Sequence, residues 1–157
     1  MRYATVFLCS FLLAVTFVAC DKASLFDENR DIKGDGWNIK DRLVFDFEVP
    51  DTVTKYNFYF NIRNTDEYQF SNIYVFMHTQ FPNGKMGNDT IELPLMDETG
   101  HWLGKGQGDV HDCRLIFRQG VRFPLKGKYH IEVEQGMRME TLPGIINAGL
   151  RIERSEE

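Results

Sequence analysis

Cysteine is scarce in this chain. Three residues of 157 give no disulfide framework: Cys9 lies inside an apolar N-terminal run, Cys20 ends it, and Cys113 stands alone. A domain of this size must then be held by hydrophobic packing, and 13 Phe with 6 Tyr supply the material. A surplus of positive charge is also missing. Eighteen Lys and Arg face 23 Asp and Glu, a net charge of −5, which argues against a nucleic-acid surface or a polybasic membrane patch. No convincing helical stretch is present.

The motifs of chemistry are absent too. No Gly-x-Ser-x-Gly turn exposes a serine, and His78, His101, His111 and His130 are isolated from one another. The glycine-rich Gly104–Asp109 (GKGQGD) lacks the Lys-Ser/Thr ending and following helix of a phosphate loop. Its glycines suit an irregular connection that needs positive φ or close backbone approach. Asp109, His111 and Cys113 share one parity, as metal ligands on a strand would. That parity continues into Leu115 and Phe117, and four N/S ligands are not at hand. Cys113 reads more simply as a small core residue. No enzyme, metal or cofactor is expected.

One long hydrophobic run is there. Arg2 precedes Tyr3–Ala19 (YATVFLCSFLLAVTFVA), and Cys20 follows the small Ala19. The run is shorter than the ~20 residues of a membrane span and has the layout of a secretory signal. With cysteine directly after the small residue, it resembles the lipobox of bacterial lipoproteins, although Phe17 stands where Leu is usual. In that reading residues 1–19 are removed and Cys20 becomes an acylated N-terminus carrying more than one chain, palmitate among them. Such a residue is fixed in the bilayer without help from protein charge. An ordinary cleaved signal with a free Cys20 is the alternative. Removal leaves about 140 residues, one domain by length.

Residues 20–36 are polar and charged after the cysteine and read as a lipidated, flexible tether, with a span of roughly 20–25 Å for a chain of this length. The domain is expected over 37–157. There the pattern alternates with period two. It is clearest at Leu43–Val49 and Lys55–Arg63, and returns at Ile91–Leu95, His111–Phe117, Tyr129–Val133 and Ile146–Ile152. Ile73–His78 is apolar on both faces and suggests a central strand. A short piece, Val121–Phe123, completes about eight strands separated by turn signals. The fold class is all-β, an antiparallel β-sandwich of immunoglobulin-like or jelly-roll type.

Five segments in order carry a family resemblance: Trp102-Leu103-Gly104-Lys105-Gly106-x-Gly108-Asp109, Phe123-Pro124-x-x-Gly127-Lys128-Tyr129, Glu134-Gln135-Gly136-Met137-Arg138, Leu142-Pro143-Gly144-Ile145 and Gly149-Leu150-Arg151-Ile152-Glu153. Together with the lipoprotein signal they resemble the gliding-motility lipoprotein GldH family of Bacteroidetes, from about Asp41 to Glu153. Asn147-Ala148 departs from the acidic-Val pair expected there. The resemblance implies a lipid-anchored cell-envelope protein, at the outer membrane, working with other gliding lipoproteins and the type IX secretion apparatus. It implies no catalytic residue.

Two Asp-Thr-aliphatic triplets, at Thr52 and Thr90, resemble the O-glycosylation acceptor pattern of exported proteins in that phylum, and both are expected at turns. His101-Trp102 and Asp109 form a candidate partner surface, or an aromatic ledge for a glycan. The competing role for Trp102 is to close the sandwich end. A non-enzymatic structural or assembly component is therefore the first reading and a surface glycan-binding lipoprotein the second.

Overall fold

The computed structural model describes residues 24–156. They form ten strands, β1 (Ser24–Asp31), β2 (Trp37–Asn38), β3 (Leu43–Val49), β4 (Lys55–Thr65), β5 (Asn72–Gln80), β6 (Met86–Pro94), β7 (Val110–Arg122), β8 (Gly127–Gln135), β9 (Thr141–Leu142) and β10 (Ile145–Arg154). No described residue is helical. Eight strands are long, and β2 with β9 makes a two-stranded ribbon.

The long strands pair antiparallel, first with last (β1–β10), second with seventh (β3–β8), third with sixth (β4–β7) and fourth with fifth (β5–β6). That nesting is one long hairpin rolled into two sheets, ordered β1-β10-β4-β7 and β3-β8-β5-β6. It is a jelly roll, which decides between the two sandwich types.

Period-two burial drives the assembly. In β3, Leu43, Phe45, Phe47 and Val49 point inward, and in β4 Tyr56, Phe58, Phe60 and Ile62 do so. Phe47 stacks on Tyr129 at 5.7 Å, and Phe123 meets Tyr56, Phe58 and Tyr129 edge-on or tilted at 4.9–5.4 Å. At the opposite end Trp37 is fully buried, with its indole N–H donating to the Asp41 carbonyl at 2.8 Å. Removing an aromatic of about 200 Å² from water contributes about 5 kcal/mol before the entropy of ordering is charged against it.

Three sequence expectations change. Residues 24–31, read as tether, form the edge strand β1. Its backbone pairs with β10 on both sides of an irregularity at Leu25, and Phe26 is buried against Phe45 and Phe47. Val121 and Arg122 do not form a separate piece. They end β7, whose pairing with β4 shifts register twice around Phe58, opposite the exposed stretch Arg118–Gly120 that interrupts the alternation. β5 is central, between β8 and β6, yet only one face is covered: Tyr74 and Phe76 are exposed.

The roll sorts its connections. Segments 32–42, 66–71, 95–109 and 136–144 gather at one end of the sandwich, and the short turns 50–54, 81–85 and 123–126 at the other. Ser24 and Ser155, which follows β10, lie at the short-turn end.

Candidate functional site

The long-connection end carries a set of non-local polar contacts around an aromatic ring. Trp102 is half-buried against the core. Its indole N–H donates to Asp66 Oδ1 at 3.0 Å, and the same oxygen lies 2.8 Å from His111 Nε2. The His111 ring stacks on the indole at 5.0 Å and 23°. Hydrogen bonding from His111, with help from Trp102, holds the Asp66 carboxylate below its ordinary pKa. Asp66 comes from the β4–β5 connection, Trp102 from β6–β7 and His111 from β7, so this triad locks two loops to a strand.

The glycine-rich connection is shaped by close approach. A Cβ on Gly106 would sit 1.7 Å from the Val110 carbonyl oxygen, and Gly108 has φ of 68°. Lys105 and Asp112 exchange backbone hydrogen bonds at 2.8–2.9 Å, folding the loop back on β7. The remaining predicted surface residues lie at the same end without joining this triad through their side chains. His101 is exposed and bonds Thr99 Oγ1 at 2.7 Å. Asp109 contributes its backbone carbonyl, which accepts from Asp66 N at 3.1 Å, while the residue is exposed. Beside them Phe70, Met137 and Met139 line an apolar depression next to exposed Tyr74.

Cys113 is buried in the core, and burial pushes its thiol up to about 11. Its neighbour of like parity, His111, is committed to Asp66 and Trp102. No group of three or more His, Cys, Asp or Glu suited to a metal is formed among the described residues.

Thr52 and Thr90 are both exposed, in different settings. Thr52 lies in the 50–54 turn. There the Asp51 carboxylate accepts from Val53 N, Thr54 N and Thr54 Oγ1 at 2.8–2.9 Å, bonds that lower its pKa, Thr54 N–H first. Thr90 is not at a turn. It sits within β6 opposite Phe76, because the strand starts at Met86 and includes Gly87-Asn88-Asp89. Cys20, the predicted lipidation residue, lies outside the described residues.

Sequence reasoning missed a ladder across the outer face of the β3-β8-β5-β6 sheet. His130 Nδ1 is 2.7 Å from Asp46 and its Nε2 3.3 Å from Glu132. Arg42 donates to Glu132 at 2.7 Å and Glu134 at 3.0 Å. His78 meets Asn88 at 2.7 Å and Glu134 at 3.1 Å. Both histidines are raised in pKa, His78 by Asn88 and Glu134, His130 by Asp46 and Glu132. Part of the signal was there, since Asp46, His130, Glu132 and Glu134 have outward parity on strands the alternation located, whereas Arg42 precedes β3 and Asn88 lies where a loop was expected.

The sequence model of the GldH lipoprotein family matches residues 24–152. A gliding motility lipoprotein GldH homolog of Christiangramia forsetii is 36% identical over 150 residues, covering 90% of this chain and 91% of that protein. The gliding motility lipoprotein GldH of Flavobacterium johnsoniae is 32% identical over 152 residues, covering 92% and 94%.

Proposed function

The chain belongs to the GldH lipoprotein family, and from that premise we propose that it is a lipid-anchored, non-enzymatic component of a gliding-motility apparatus linked to type IX secretion. Cys20 carries the acyl chains, in the outer membrane. The observation behind this reading is the family match across the whole jelly roll, joined to the lipobox-like Ala19-Cys20 that precedes it. A structural role agrees with the chemistry. The Cys113 thiol is buried and held protonated, unlike an activated nucleophile, and His111 is used to fix Trp102.

The partner surface of this reading is the long-connection end around His101, Trp102 and Asp109. Loops set on a rigid sandwich are where binding residues concentrate. A stacking platform for glycans at Trp102 would have to use the face of the ring that His111 leaves open. Thr52 and Thr90 are proposed as O-glycan acceptors, and the mass of tryptic peptides from the exported protein tests both.

Deletion in a gliding host, followed by complementation, tests the function. Loss of spreading and of type IX secretion is expected, with rescue by the wild-type chain and none by Cys20→Ala. Unchanged spreading in the deletion strain would end the proposal.

A further inference from the structure

We propose that the short-turn end of the jelly roll lies against the bilayer, with Val53 seated among the headgroups and Lys85, Arg122, Lys126 and Arg154 facing anionic lipid. The inference rests on acylation of Cys20 and adds to it the pose of the domain.

Chain geometry comes first. Strand β1 begins at Ser24, so only residues 21–23 separate it from Cys20. Four residue steps reach about 14 Å at full extension. The flexible spacer expected over 20–36 is therefore mostly absent, and the domain cannot stand off from its anchor. Ser24 pairs with Glu153, and Glu153 pairs with Asn57 on the other side. Two strand spacings, about 10 Å, thus separate the anchored strand from β4, whose preceding turn holds Val53. Val49 pairs with Gly127, Lys55 with Arg122 and Gln80 with Met86, which brings the three short turns to this same end.

The chemistry of that end suits a lipid surface. Val53 is 73% exposed and Met86 58%. A single exposed aliphatic is ordinary, but this one is held in place. Asp51 fixes the turn through the Val53 and Thr54 amides, and Arg122 Nε donates to the Val53 carbonyl at 3.1 Å. Each of the three turns also contains a proline, Pro50, Pro82 or Pro124. At or just beyond the strand ends, exposed Lys85, Arg122, Lys126 and Arg154 stand against Asp51 and the Glu156-Glu157 terminus. The chain as a whole is at −5. Within that acidic total, four exposed cations are gathered at the end where the lipid chain enters. A basic cluster beside an acyl anchor is drawn to anionic leaflets.

The test uses the full-length acylated chain in vesicles of phosphatidylethanolamine and phosphatidylglycerol containing a brominated lipid. A fluorophore is placed at Val53→Cys or, as the distant reference, at Leu103→Cys. Both positions are exposed, and buried Cys113 stays unlabelled. Because the sandwich is about 35 Å long, quenching at position 53 is expected to exceed that at 103 at least about threefold. Lys85→Glu with Lys126→Glu should reduce it. Equal quenching at the two positions in protein that floats with the vesicles overturns the pose and leaves the anchor standing. Failure to float removes Cys20 acylation and the pose with it.

Discussion

Trp102 is held from two sides, by a hydrogen bond to Asp66 and by the His111 ring. Trp102→Ala removes both contacts and a half-buried ring, so the chain should lose about 2 kcal/mol, less than the roughly 3–5 of a fully buried aromatic, read as a lower urea midpoint. His111→Ala tests the electrostatics. The Asp66 carboxylate is lowered in the folded state chiefly by His111, so its stabilising effect is present above the unfolded value of about 3.9 and lost as pH falls through the folded one. In the variant, an NMR titration of Asp66 should move back up toward the ordinary carboxylate range. Histidine signs run the other way. His78 and His130 are raised by their carboxylate and amide neighbours. Their stabilisation is full below the unfolded value of about 6.5 and is lost as pH rises through the higher folded values. Stability measured by urea should therefore decline above about pH 6.5, and a His78→Gln, His130→Gln chain should show a flatter profile.

At the scale of elements, β1 is the test of how this sheet closes. Gly149 on β10 leaves room for the Asn29 side chain: a Cβ there would stand 2.0 Å from Asn29 Oδ1 and 2.5 Å from the Glu28 carbonyl oxygen. The backbone oxygen cannot swing aside, so Gly149→Ala must displace β1 at a cost of about 1–3 kcal/mol. Hydrogen exchange should quicken across Ser24–Asp31, and unchanged protection would show that β1 adapts. This is also the one long strand of the described residues that sequence did not disclose. SLFDENRD has a single inward aromatic, Phe26, and is held by a ladder to β10 that composition does not record. β3, β4 and β8 were legible because Phe45, Phe58, Tyr129 and their neighbours alternate without a break. β7 was cut short because Arg118-Gln119-Gly120, exposed where the register shifts twice near Phe58, interrupts the alternation that resumes at Val121. The Trp102 contact was hidden for another reason: Asp66 lies 36 residues before it, and only the rolled topology brings the two connections together. Choosing jelly roll over immunoglobulin needed the pairing of first strand with last, which no local pattern contains.

For the whole molecule, the roll separates two ends, to which the proposed pose gives different tasks. With the short turns at the bilayer, the 11 residues of β4 carry the opposite end to about 35 Å from the lipid. The distance is set by a rigid sandwich rather than by a flexible tether. The connections 66–71, 95–109 and 136–144 are therefore presented outward together, with exposed Leu103 and the Phe70–Met137–Met139 depression among them. A component that bridges membrane and machinery should be touched by protein at that end and by lipid at the other. A photo-crosslinking residue at Leu103 in a functional chain should yield adducts with envelope proteins in gliding cells, resolved as discrete shifted bands. The same residue at Val53 should yield few protein adducts and lipid-sized mass additions instead. Both positions lie on exposed connections, so reactivity is comparable and the contrast reports surroundings. Protein adducts at 53 and none at 103 would reverse the assignment of the ends, and the partner surface would then have to be sought beside the anchor.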